Sequence, residues 1–133
     1  MLIADEVQCG SGRTGTWWNI CQKNVVTDIM TFGKGIASWF PLACVVSRSE
    51  IMNSIPAGSL GGTYGGNAIA SIAASATIDV IENEDLLNNT NIMGNLIYQE
   101  LKGLKGIKEI RQYGLMIAID FGDYSGAISR KVI

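Results

Sequence analysis

The sequence contains no histidine, and in 133 residues it has only two prolines and three cysteines. Without an imidazole there is no base of the usual kind to activate a serine or cysteine nucleophile. Cys9, Cys21 and Cys44 lack metal-ligand spacing, so zinc sites and Ser-His or Cys-His chemistry are excluded. No apolar run approaches the ~20 residues that a membrane helix requires. Ten basic and twelve acidic residues leave a formal net charge of −2 without any basic cluster, so the electrostatic footprint of nucleic-acid binding is missing. Neither a signal peptide nor an Arg-rich transit segment opens the chain. With the odd cysteine count, this favours a reducing intracellular setting, cytoplasmic or mitochondrial, in which some thiols are simply buried.

What is abundant is apolar surface and glycine. At 47% hydrophobic and 17% charged, the composition suits a largely covered α/β core. The sixteen glycines gather around residues 10–15, 33–35 and 58–66, which suggests functional loops. Residues 1–4 form a short apolar run of the buried, parallel-sheet type ending in Asp5-Glu6. Further strands are predicted over 29–32, 42–47 and 115–121, and short helices over 17–23 and 49–53. Residues 67–84 predict the clearest helix, apolar on most sides and therefore mainly buried, and 86–104 predict a second. This order indicates α/β architecture, whose ligands sit at the carboxyl ends of strands. Asp5 and Lys34 both fall at such ends.

Those two residues carry the chemistry. Asp5 follows three apolar residues, so a semi-buried carboxylate in need of a cationic partner is expected. Lys34 stands between glycines with apolar flanks on both sides, Ile29–Phe32 and Ile36-Ala37, which suits a nucleophilic amine. An apolar strand ending in Asp, then a glycine-flanked lysine, is the layout that pyridoxal phosphate (PLP) chemistry needs. The carboxylate stabilises a protonated pyridine nitrogen, and the amine forms a Schiff base with the aldehyde. Once released, the same amine is a base for the α-proton. By strand alternation Glu6 points away from Asp5, and Val7 returns to the Asp5 side, where it would pack flat on an aromatic ring. Gln8 would donate to a phenolate oxygen.

Gly61-Gly62-Thr63-Tyr64-Gly65-Gly66-Asn67 precedes the long helix. It reads either as an anion-binding loop with the Thr63 hydroxyl or as a plain helix start capped by Asn67. It is not a P-loop, because no Gly-Lys-Ser/Thr follows. Gly12-Arg13-Thr14-Gly15 is open in the same way, between an anion site and a turn whose arginine pairs across an interface. Trp17, Trp18 and Trp39 suit core or interface packing. Arg111 precedes the last predicted strand as a structural residue or a carboxylate contact.

Ala4-Asp5-Glu6-Val7-Gln8, Gly12-Arg13-Thr14-Gly15, Phe32-Gly33-Lys34-Gly35-Ile36-Ala37, Phe40-Pro41-Leu42 and Gly62-Thr63-Tyr64-Gly65-Gly66-Asn67 resemble the class III aminotransferases. That family includes the 4-aminobutyrate, acetylornithine and ornithine aminotransferases of PLP fold type I. The resemblance implies that Lys34 is the Schiff-base lysine, that Asp5 pairs with the pyridine nitrogen, that Val7 packs under the ring and that Gln8 contacts its hydroxyl. It further implies that Thr63 binds the cofactor phosphate of a neighbouring subunit, so that active sites are shared across a homodimer. Substrates would be an amino donor and an oxo-acid acceptor, with a slight lean toward 4-aminobutyrate-like members.

Family members are roughly three times this length. The chain is therefore expected to be a middle-to-C-terminal portion, with residues 1–84 completing the PLP-binding large domain through the long inter-domain helix. Residues 85–133 would begin the C-terminal small domain. The upstream phosphate loop, the ring-stacking aromatic and the C-terminal substrate arginine lie outside it. A non-catalytic remnant that binds PLP weakly, or that only associates with a full-length relative, is the alternative. Two local departures stand out. Trp39 occupies a position where the family usually has glycine, and Arg111-Gln112-Tyr113-Gly114 replaces Arg-Gly-x-Gly.

Overall fold

The computed structural model describes residues 1–122. Ile3–Asp5 (β1) pairs in parallel with Ile29–Phe32 (β2), which pairs antiparallel with Cys44–Ser47 (β3), giving a three-stranded sheet in the order β1-β2-β3. Asp5 lies opposite Thr31 and Phe32 opposite Cys44. A 3-10 helix, Asn19–Lys23, lies within the β1–β2 crossover, and a second one, Lys34–Ala37, follows β2. After β3 come a single helical turn, Ser49–Met52 (α1), then Ala68–Asn83 (α2) and Leu86–Leu101 (α3). A hairpin follows, made of Glu109–Tyr113 (β4) and Met116–Asp120 (β5).

The long helix begins where its cap dictates. Asn67 Oδ1 accepts from the Ala70 N–H at 3.0 Å, satisfying one of the open donors of the first turn. The Ala- and Ile-rich run then propagates without interruption to Asn83. Asp85 takes the left-handed conformation (φ 50°), which turns the chain directly into α3. The core is small and sits under the Lys34 turn. Ile36, Ala37 and Ala74 are buried together, with Phe32, Leu42 and Ile78 packed on them. The 3-10 helix carrying Lys34 is thus seated on α2.

Several expectations need correction. The 67–84 helix is not mainly buried. Only Ala70, Ala74 and Ile81 are, while Ile69 and Ile72 are 64% and 71% exposed, because one face of α2 meets the described residues and the other meets none of them. For the same reason the first strand is not a buried one: Leu2 and Ile3 are exposed on the edge strand of this sheet. Residues 17–23 contain only the 3-10 helix from Asn19, with both neighbouring tryptophans before it. Arg111 precedes the last strand as expected, but it lies within β4, a strand that was not expected, and its guanidinium pairs with Glu109 at 2.6 Å. None of the cysteines is fully buried; Cys9 and Cys44 are half-buried and Cys21 is exposed. Among the described residues no helix is long and apolar enough to cross a membrane, and no cluster of metal-ligating side chains occurs.

Candidate active site

The parallel pairing of β1 and β2 brings their carboxyl ends side by side, and the candidate residues lie just beyond them. Glu6 N–H donates to Thr31 O at 2.8 Å, extending the ladder one step past Asp5. There the chain turns. Asp5 Oδ1 accepts from the Val7 N–H at 3.1 Å and from the Thr31 hydroxyl at 3.4 Å. The Gly10 N–H donates to Glu6 O at 2.9 Å, closing the turn that carries Val7 and Gln8. On the neighbouring strand Gly33 lies close under the Leu42 carbonyl, and a Cβ there would stand 3.1 Å from that oxygen. Lys34 follows with φ 48°, a left-handed conformation that turns the chain into the helix seated on α2.

Val7, Gln8 and Lys34 line one cavity of about 320 Å³, together with the Gly10–Arg13 loop and, from below, Ile81, Leu86 and Thr90. That volume falls in the range of small-molecule sites. A second cavity of about 550 Å³ shares Arg13, Lys34 and Gly35 and is walled by Ser38, Trp39, Phe40, Pro41 and Leu42. Three of the five candidates therefore meet. Asp5 lies at the same strand end but does not line either cavity, and Thr63 sits in the exposed loop before α2. The expectation of a semi-buried Asp5 carboxylate is not met. Asp5 is exposed on the edge strand, its carboxylate is held by an N–H and a hydroxyl, and it makes no ion pair among the described residues.

Glu6 faces the opposite way, as strand alternation requires, and it is buried. Its Oε2 accepts from the Asn19 N–H at 3.0 Å and its Oε1 from the Ile20 N–H at 2.7 Å. Trp18, the residue before this pair, packs on Phe32 with ring centroids 4.5 Å apart. Trp39 is fully exposed, so core packing does not explain it, and it holds φ 79°, the left-handed region that favours glycine.

The Gly12–Gly15 segment reads differently in three dimensions. Thr14 is buried and donates its hydroxyl to Cys9 O at 3.3 Å. Asn91 of α3 donates to Gly15 O at 3.1 Å, and the Leu115 N–H of the hairpin donates to Arg13 O at 3.0 Å. The backbone is thus a docking strip for α3 and the β4–β5 turn, while the Arg13 side chain lines both cavities and makes no ion pair among the described residues. An isolated cation amid glycines was the available signal, and it did not separate these two roles.

A family model for class-III aminotransferases matches residues 1–131. The chain belongs to that family. It is 47% identical to the 4-aminobutyrate aminotransferase GabT of Escherichia coli over 136 aligned positions, covering 94% of this chain and 31% of the relative. Among solved structures, the acetylornithine aminotransferase from Elizabethkingia anophelis superposes with a TM-score of 0.83 at 36% identity, covering 90% of this chain and 31% of that one. The taurine:2-oxoglutarate aminotransferase from Bifidobacterium kashiwanohense, solved in complex with PLP and glutamate, superposes with a TM-score of 0.83 at 29% identity over 90% of this chain and 28% of that one. The chain thus spans about a third of the length of the curated relatives it matches. These likenesses establish the α/β, fold type I architecture.

Proposed function

We propose that this chain carries the lysine-bearing half of a PLP-dependent transaminase site. The observation that supports this best is the meeting of Lys34, Gln8 and Val7 in one cavity at the carboxyl ends of two parallel strands. The donor set fits the cofactor: an amine for its aldehyde, an amide for its ring oxygen and a branched apolar side chain for its ring face, with a carboxylate at the same strand end. When bound, PLP supplies a carbonyl for amine exchange and a ring that withdraws electrons from the substrate α-carbon.

The protein's own groups do the rest. Lys34 Nζ would hold the cofactor through its aldehyde and, once free, would serve as the base for the substrate α-proton. Asp5 would hold the ring nitrogen in its protonated form, Gln8 would donate to the ring oxygen and Val7 would exclude water from one ring face. Amino transfer from an amino acid or ω-amino acid to an oxo acid would then follow ping-pong order.

Thr63 belongs to the reading in a second subunit. Around it, a Cβ on Gly61 or Gly62 would meet nothing within 4 Å among the described residues, so packing against those residues does not require the glycines. Such open backbone suits a phosphate approached from a neighbouring copy, which supports a homodimer with shared sites. Residues 1–84 would complete the large domain and 85–133 begin the small one. The apolar residues uncovered on α2 and β3 favour the alternative, a non-catalytic remnant that binds PLP weakly or only associates with a full-length relative.

PLP titration, borohydride reduction and peptide mapping, with Lys34→Ala in parallel, test the assignment. Saturable modification at Lys34 that the substitution abolishes is the expected result. Modification scattered over several lysines and indifferent to the substitution refutes it.

A further inference from the structure

We propose that Glu6 is a positioning residue that holds the two cavity walls, Val7–Arg13 and Phe32–Lys34, in register with each other. The proposal rests on reading their shared cavity as the cofactor site. Glu6 is 4% exposed, and its N–H, its carbonyl and its carboxylate all make hydrogen bonds. Its N–H binds β2 through Thr31 O, and its carbonyl closes the Val7–Gln8 turn by accepting from Gly10. Both carboxylate oxygens are used, on the consecutive N–H groups of Asn19 and Ile20.

Those bonds fix the start of the Asn19–Lys23 helix and with it Trp18, the residue immediately before. The Trp18 ring lies between the two walls. On one side it packs on Phe32, two residues before Lys34. On the other it fills the space above Gly10, where an added Cβ would stand 2.7 Å from the ring. A buried carboxylate bound to two backbone N–H groups is a strong, directional anchor. Its effect passes through Trp18 to the walls on which Gln8 and Lys34 sit. Glu6 touches neither cavity itself.

The test uses three variants of the full chain. Glu6→Gln keeps the shape, but its amide nitrogen would oppose one of the two N–H groups. Asn19→Pro removes one donor and spares the carboxylate. Trp18 is already extended (φ −130°, ψ 135°), as the residue before proline requires, and proline is tolerated at the first helical position. Asp28→Ala, which breaks the Arg48 ion pair at the other end of β2, is the stability comparator.

Glu6→Gln and Asn19→Pro should each weaken PLP binding roughly tenfold, the scale of one lost hydrogen bond to a charged group. Asp28→Ala should lower the melting temperature with PLP affinity unchanged. In the cofactor-free protein, the first two should also speed amide hydrogen exchange in both 7–13 and 33–37. Wild-type PLP affinity in Glu6→Gln and Asn19→Pro, whatever their melting temperatures, would overturn the proposal. Should Glu6→Gln not fold, Asn19→Pro decides. If the wild-type protein fails to take up PLP, the cofactor reading fails and the exchange data decide alone. Acceleration confined to 19–23 would then reduce Glu6 to a local cap.

Discussion

Replacing Gly94 with alanine should destabilise the protein, although helix propensity by itself predicts the opposite. In a helix interior alanine is favoured over glycine by up to ~1 kcal/mol. Gly94, however, is the point where α3 lies on the β4–β5 turn. A Cβ there would collide with the Gly114 carbonyl oxygen and would stand 2.6 Å from its carbon and 2.6 Å from Gln112 Nε2. The glutamine can swing away, at the loss of its 3.0 Å bond to Gly114 O, worth about 1 kcal/mol. The backbone of Gly114 has no such freedom. Gly114 holds φ 53° and is itself pressed between Thr90 and the Arg13–Thr14 backbone. The hairpin must therefore move off the helix, at a cost of about 1–3 kcal/mol for overpacking. The net effect is a loss of about 1–3 kcal/mol. Urea denaturation followed by far-UV circular dichroism measures it, with exposed Asn95→Ala as the control that should gain a few tenths of a kcal/mol. A Gly94→Ala protein as stable as the parent would refute the close approach of α3 and the hairpin.

Other substitutions probe single features. Trp39→Gly relieves a left-handed conformation at a fully exposed side chain and should raise stability by about 1 kcal/mol or less, read as a higher urea midpoint. A fall instead would show that the indole packs on something. Asn67→Ala removes the α2 cap and should cost about 1 kcal/mol by the same assay, with no cost meaning that the first turn is already satisfied by water.

Some features were legible because they are encoded within a few neighbouring residues. The β2 run was read to the residue, and α2 was placed within one residue at each end, because β-branched density and the Asn67 cap act locally. The placement of Asp5 and Lys34 at strand ends followed from the same short-range pattern, and the parallel pairing of β1 with β2 bears it out. The β4 strand escaped notice because its alternation, Glu109-Ile110-Arg111-Gln112-Tyr113, offers a single aliphatic residue and is stabilised chiefly by its partner.

What the amino-acid order determined alone was the local vocabulary: the family motifs, the capped helix, and the glycine-flanked lysine two residues beyond a β-rich run. Tertiary structure decided which of those residues meet. It placed Val7, Gln8 and Lys34 around one cavity and left Asp5 on the strand edge beside it. It turned Gly12–Gly15 into a docking strip for α3 and the hairpin, and buried Glu6 under residues 19 and 20. The physical reason is one of range. Caps and periodicity depend on neighbours within a turn, whereas burial and hydrogen bonding join residues far apart in the chain, and their partners are known only once the chain has folded.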